Sequence, residues 1–284
     1  MNRVPFFGRL GAVALFATTI LVAGCSEELA TGATPTPAVT VPEKRSLYEL
    51  LGDHQRKIRN APGRTGILAE EKRYSLLDEE LIIRDFFQDR EGGVFVDVGC
   101  AWPIKASNTY FLEKHLGWTG IGIDALDEYA EGWKRSRPNA KFFSFLVTDR
   151  SEGAGTFFKS PDIGLSSTSR NRAAGKKYGA SMQPEELKIP RITLNDLLDR
   201  EGIEKVDLLS MDIEGHEPKA LAGFDIDRFR PDLVVIEGKN RLVAKYFHVH
   251  GYETIERYIP FDGINRYFRR KDGSGTASNP PDEG

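Results

Sequence analysis

Apolar residues recur along this chain with two alternating periods, and the alternation predicts its elements. The run GGVFVDVGC from Gly92 gathers β-branched and aromatic residues and ends on Asp97 and Gly99, the pattern of a buried strand entering a tight turn. Ser107, Asn108 or Thr109 then caps a helix that carries Phe111 and Leu112 and stops near Lys114, His115 and Gly117. TGIGID, ending at Asp124, is a second strand, followed by a helix from Asp127 to Arg135, a strand KFFSFLV from Lys141 and a hairpin-like GTFF. Phe158 to Pro190 reads as a long loop, and such a loop is a natural substrate cover. Thr193 and Asp196 form a capping-box-like start for a helix through Leu198. VDLLSM and PDLVVIE are further strands, and Arg241 to His250 a further helix. Ahead of the first strand, 46–60 and 68–88 carry apolar residues at helical spacing, among them Leu77, Leu81, Ile82 and Phe86, and predict a helical extension.

Strands interleaved with helices at these lengths imply right-handed crossovers and a mainly parallel sheet covered on both faces, a Rossmann-like α/β sandwich. Ligands of such sheets sit beyond the carboxyl ends of the strands, so the residues there are the first functional candidates. They are Asp97 to Ala101, Asp124, Thr148 with Asp149, Asp212 to Glu217, and Glu237. An acidic residue ends or follows each of the five strands.

Composition narrows the chemistry. Among 284 residues, 39 basic and 42 acidic side chains give a net charge of -3, which leaves no electrostatic case for a nucleic-acid partner. Cys25 and Cys100 are the only cysteines, too few for a disulfide framework or a cysteine-rich metal site. Arg3 and Arg9 precede an uncharged stretch from Leu10 to Gly24, the layout of a secretory signal. Its ending, Leu21-Val22-Ala23-Gly24-Cys25, resembles a bacterial lipobox, which implies lipidation of Cys25 and attachment to a membrane of the cell envelope. Residues 1–25 are thus expected to be the signal, 26–43 a Thr/Pro tether, 44–270 the folded domain and 271–284 a disordered tail. A chain started beyond the leader would be cytoplasmic, and Met1 is the only methionine before Met182.

A dinucleotide needs G-x-G-x-x-G for close approach to its pyrophosphate; after Gly99 the next glycine is Gly117. A single glycine turn, with Asp97 before it and Asp124 placed for ribose hydroxyls, suits a nucleoside without phosphates. S-adenosylmethionine fits: its cationic groups favour carboxylates, and its carboxylate favours N–H groups at a helix start.

FVDVGC, SNTYFLEKHLGWTGIGID, ITLNDLL and LLSMDIEGHEPKALAGF, in that order, resemble the motifs of the FkbM-like methyltransferase family. The resemblance spans about Gly93 to Glu237, and the D-x-E-G-x-E segment at Asp212 to Glu217 is its most specific part. It implies a class I methyltransferase fold, S-adenosylmethionine as donor, and O-methylation of a hydroxyl on a sugar, a lipid-linked glycan or a secondary-metabolite-like acceptor. Candidate cofactor contacts are Asp97, Gly99, Cys100, Asn108, Thr109, Asp124, Thr148 and Asp149. Cys100, Ala101, Trp102 and Pro103 stand where many relatives carry small or polar residues.

Asp212 and Glu214 lie two apart in extended chain and can share a site. His216, Asp212 and Glu237 are the rival bases for taking a hydroxyl proton, with Glu214 assisting, while Glu217 and Pro218 read as a helix start. Asp212, Glu237 and Asn240 also have the chemistry of a divalent-cation site, although no metal is expected because nothing in their spacing enforces ligand geometry. Lys159, Arg170, Arg172, Lys176 and Lys177 are candidate contacts for an anionic substrate. The rival from another class is a non-catalytic exported lipoprotein that uses the same sandwich as a binding module, motivated by a leader that would carry the domain away from S-adenosylmethionine.

Overall fold

Val96 and Val98 face one side of the first strand and Phe95 and Asp97 the other, because strand side chains alternate. Both sides are buried, so this strand forms only inside a sheet covered twice. A computed structural model describes residues 74–76, 79–161, 165–174, 183–238, 240–259, 262 and 264–271. The predicted signal with Cys25, the tether, the 46–60 helix, Lys176, Lys177 and the tail from 272 on lie outside those residues.

The chain runs α1 (Glu79–Phe87), β1 (Val94–Val98), α2 (Tyr110–Leu116), β2 (Thr119–Asp124), a 3-10 turn (Asp127–Tyr129), α3 (Ala130–Ser136), β3 (Ala140–Ser144) and β4 (Leu146–Val147). β5 (Ala154–Lys159), α4 (Arg170–Ala173), β6 (Glu185–Ile192), α5 (Leu194–Glu201), β7 (Leu208–Met211), α6 (Glu217–Ala222), α7 (Ile226–Phe229) and β8 (Leu233–Glu237) follow. α8 (Arg241–Val249), β9 (Tyr252–Thr254), a second 3-10 turn (Glu256–Tyr258) and β10 (Asn265–Arg270) complete it.

Seven strands form the main sheet in the order β3-β2-β1-β7-β8-β10-β9, with β10 antiparallel to both its neighbours. Strand order therefore reverses between β1 and β7, which pair in parallel with Val98 opposite Met211. On one face Val96, Val98, Ile121, Leu209 and Val234 pack with Leu197, Leu221 and Phe247; on the other, Phe95, Leu208 and Val235 pack with Ile82, Phe86, Phe111 and Trp118. This is the mainly parallel sandwich expected, and no helix among the described residues is long and apolar enough to cross a membrane.

Four expectations change. KFFSFLV is two strands: β3 ends at Ser144, and β4 joins a separate three-stranded sheet in the order β4-β6-β5. The loop expected from Phe158 to Pro190 contains α4 and most of β6, whose EELKIPRI sequence offers only Leu187 and Ile189 as an apolar face amid charged residues, too short a pattern to betray a strand. β9 and β10 were not foreseen, since β10, NRYFRR, offers only Tyr267 and Phe268 amid polar residues. The helix from Asp127 begins as the 3-10 turn.

Candidate active site

Gly99 and Ala101 make the first turn of the site, both in the left-handed region with φ of 82° and 41°. A Cβ on Gly99 would stand 1.8 Å from the Asp212 carbonyl oxygen, so only glycine lets the turn after β1 lie against the turn after β7. Both N–H groups of Gly99 and Cys100 donate to the Ile123 carbonyl, at 2.8 and 3.2 Å, and Ala101 N–H donates to the Asp124 carboxylate at 3.0 Å. Leu126 N–H donates to the other Asp124 oxygen at 2.9 Å. Burial still outweighs these donors and lifts the Asp124 carboxyl to about 6.

A cavity of about 550 Å³ opens at this end of the sheet. One end is walled by Gly99, Cys100, Ala101, Trp102 and Asn108, by Asp124, Ala125, Leu126 and Tyr129, and by Phe145, Leu146 and Phe157. Trp102 and Tyr129 meet edge to face at 5.9 Å. The other end is walled by Asp212, Glu214, His216 and Glu237, with the exposed Leu76 and Ile264 also lining it. Leu165, Ser166 and Thr168 join the lining from the segment before α4.

The three carboxylates converge because β7 and β8 are parallel neighbours ending at one level, with Met211 opposite Ile236. Asp212, Glu214 and Glu237 each place an oxygen within 4.8 Å of the others, a cluster that also has the form of a hard-cation site. Asn240 is not part of it; its side chain accepts from Leu242 N–H and caps α8. Burial and the neighbouring Glu237 carboxyl push Asp212 well above the ordinary carboxylate range, although Asp212 stays reachable from solvent. Glu214, with φ of 53°, is lifted to about 7 by burial and by Glu237, against the pull of Arg172 at 3.6 Å.

Glu217 shapes this turn from behind: its carboxylate accepts from Ile213 N–H at 3.3 Å and Gly215 N–H at 2.9 Å. His216 shares a hydrogen bond between Nδ1 and the Thr168 hydroxyl at 3.2 Å, and burial, with help from Lys219, lowers its pKa. Its imidazole is therefore neutral at pH 7.

The sequence candidates divide. Gly99, Cys100, Asn108, Asp124, Asp212, Glu214, His216 and Glu237 all line the one cavity. Asp97, Thr109, Thr148 and Asp149 do not. Asp97 points toward α2, where it accepts from the Thr109 hydroxyl at 2.8 Å; burial raises its pKa while Thr109 and Arg137 oppose the rise. Thr148 is buried and donates to Asp149 at 3.1 Å. Helix α2 is capped by the Ser107 hydroxyl, which accepts from Tyr110 N–H at 3.1 Å. Cys100 is buried, and burial with Asp124 and Asp97 nearby keeps its thiol protonated. The basic set is differently engaged: Lys159 pairs with Glu128, Arg170 with Glu186 and Arg172 with Glu214.

Sequence reasoning missed Tyr129, Phe145 and Phe157, whose signal was available as aromatic residues just beyond or within strands near the site. It also missed Glu79 and Asn265, which hydrogen-bond each other at 3.2 Å on the far wall; with β10 unforeseen, no signal placed them there.

The model of the methyltransferase FkbM domain matches residues 97–258, more than half of the chain. No curated protein matches it. Among solved structures, a TehB-like SAM-dependent methyltransferase from Corynebacterium glutamicum is 15% identical, over 78% of this chain and 99% of that one, with a TM-score of 0.36. A precorrin-6Y C5,15-methyltransferase from Geobacter metallireducens is 10% identical over 70% and 90%, with a TM-score of 0.36. A SAM-dependent methyltransferase from Thiobacillus denitrificans, in complex with S-adenosyl-L-homocysteine, is 12% identical over 69% and 73%, with a TM-score of 0.32.

Proposed function

This chain belongs to the methyltransferase FkbM domain family, and from that premise we propose that it moves the methyl group of S-adenosylmethionine to a hydroxyl oxygen of a sugar, glycan or secondary-metabolite-like acceptor. The observation that carries this reading is one cavity of about 550 Å³ lined both by Asp124 with apolar and aromatic side chains and by a cluster of three carboxylates.

The residues present fit the donor. Asp124, its carboxylate fixed by two backbone N–H groups, keeps lone pairs for ribose hydroxyls, while Ala125, Leu126, Phe145, Leu146 and Phe157 offer apolar contact to a base. The Gly99–Ala101 turn and Asn108 border the space left for the amino-acid part. The bound donor supplies a methyl carbon on a positively charged sulfur, which leaves as a neutral thioether when the carbon–oxygen bond forms.

The protein aligns the acceptor oxygen and takes its proton. Asp212, with Glu237 beside it, is the base: burial and the crowding Glu237 carboxyl raise Asp212 well above the ordinary carboxylate range, which makes it a better proton acceptor than a free carboxylate. His216 is assigned to holding the turn through Thr168, not to the proton transfer. Asp124→Ala should weaken binding of labelled S-adenosylmethionine, whereas Asp212→Ala should lower turnover more than affinity. A folded wild-type protein that binds none of the labelled donor removes the reading.

Attachment to the cell envelope through a lipidated Cys25 is part of the same proposal and rests on the sequence alone. Mass analysis of the mature N-terminus tests it: a diacylated or triacylated Cys25 is expected, and an unprocessed Met1 that is indifferent to Cys25→Ala contradicts it.

A further inference from the structure

The segment from Gly99 to Thr109 brings Gly99, Cys100, Ala101, Trp102, Ala106 and Asn108 to the cavity, yet it contains neither helix nor strand. Ala101 and Ala106, at φ of 41° and 56°, stand in a region that residues with a Cβ avoid. A loop of this kind holds one shape only where its surroundings over-determine it.

The fixing bonds come from α3 and the residue that ends it. Trp133 Nε1–H donates to the Ala101 carbonyl at 2.9 Å. One helical turn on, Arg137 reaches the rest of the loop: Nη1 donates to the Pro103 carbonyl at 3.1 Å and the Ser107 hydroxyl at 3.3 Å, and Nη2 to the Thr109 hydroxyl at 3.0 Å. Thr109 passes the contact to Asp97 at the end of β1. Pro103 lies on Gly132, where a Cβ would come within 3.2 Å of its ring. A single helix thus grips the loop near its start, its middle and its end.

Arg137 is only 1% exposed, ion-paired with Glu113, and its guanidinium lies 4.2 Å over the Trp133 ring. Replacing such a pair with apolar side chains costs little stability in many proteins, and a guanidinium that fans out to four acceptors supplies geometry that an apolar side chain cannot. The helix also continues directly from the 124–129 segment that forms the other wall of the donor end. The bond from Ala101 N–H to Asp124 joins the two walls.

We propose that Trp133 and Arg137 are positioning residues for the methyl donor: neither lines the cavity, and together they set the shape of the loop that does. The inference rests on the reading of this end as the donor site. It is tested by calorimetric titration of S-adenosylhomocysteine into the full-length protein, with circular dichroism giving the folded fraction. Arg137→Met weakens binding about tenfold or more, because sub-ångström placement of contact groups is lost. Arg137→Lys keeps the charge but cannot span the loop, and weakens it nearly as much. Trp133→Phe keeps a ring and loses only the N–H donor; it weakens binding about threefold or more. Arg270→Met, which strips a partner from Asp232 at the opposite end of the sheet, lowers Tm and leaves affinity unchanged.

Binding by the wild type with equal affinity in folded Arg137→Met and Trp133→Phe overturns the inference and leaves the donor reading standing. Should Arg137→Met not fold, Trp133→Phe decides alone. No binding by the wild type defeats the donor reading, and the inference with it.

Discussion

Gly99 connects the two ends of the cavity, since the close approach of its Cα to the Asp212 carbonyl fixes how far the β1 and β7 turns stand apart. Gly99→Ala combines a clash with backbone and a left-handed φ, and should cost more than about 3 kcal/mol, read as a large fall in Tm or loss of soluble protein. Asp212→Asn removes the proposed proton acceptor while keeping shape; kcat should fall about 100-fold or more with a smaller change in donor affinity. Turnover should rise with pH over a range above that of an ordinary carboxyl, because the proposed base must lose its proton to act and burial and Glu237 raise its pKa. Stability runs the other way. Glu214 holds its proton up to about 7 when folded but only to the ordinary 4.5 of a glutamate when unfolded, so its contribution is full below that lower value and is lost as pH climbs toward 7. Glu214→Gln should therefore raise Tm at pH 8, by about 1–3 kcal/mol of stability, and flatten the pH dependence between those values. A variant less stable than wild type at pH 8 contradicts the assignment. At this scale the acids were legible because strand ends select them, whereas Arg137 was not, since nothing in KRSRPN distinguishes a buried guanidinium from a solvated one.

The element proposed to carry the acceptor chemistry is β7 with its turn into α6, and Glu217 keeps it in shape by holding Ile213 and Gly215 N–H groups. Glu217→Ala leaves those donors without their carboxylate and should cost about 2 kcal/mol, seen as a lower Tm, with turnover falling as the Asp212–Glu214 pair shifts. The carboxylate cluster should act as a base without a cation: exhaustive chelation leaves activity unchanged, and activity that disappears with EDTA and returns with Mg²⁺ would reassign Asp212, Glu214 and Glu237 as ligands. Elements with a regular apolar period were readable in the sequence; β1, β2, β7 and β8 lie where the alternation put them, and Thr193 caps α5 through Asp196 N–H at 3.0 Å. β6 and β10 were not readable, because exposed or edge-adjacent strands bury too few side chains to impose a pattern. The same physics hid Asn265, which reaches the cavity from β10 and there donates to Glu79 of α1.

Two buried faces on one sheet leave the carboxyl ends of β1, β2, β7 and β8 to present polar groups to a common space, and the cavity forms there. The sheet was legible as a class, and its strand order was set by tertiary pairing of the later strands, which local pattern does not encode. In the proposed function this space holds an adenosine-bearing methyl donor at one end and an acceptor oxygen at the other. The most direct measurement is a crystal structure of the protein with S-adenosylhomocysteine. Ribose hydroxyls are expected within hydrogen-bonding distance of Asp124, the base among Leu126, Phe145 and Phe157, and the sulfur facing Asp212 and Glu237. A well-ordered protein with the ligand elsewhere, or with an empty cavity at saturating ligand, contradicts it.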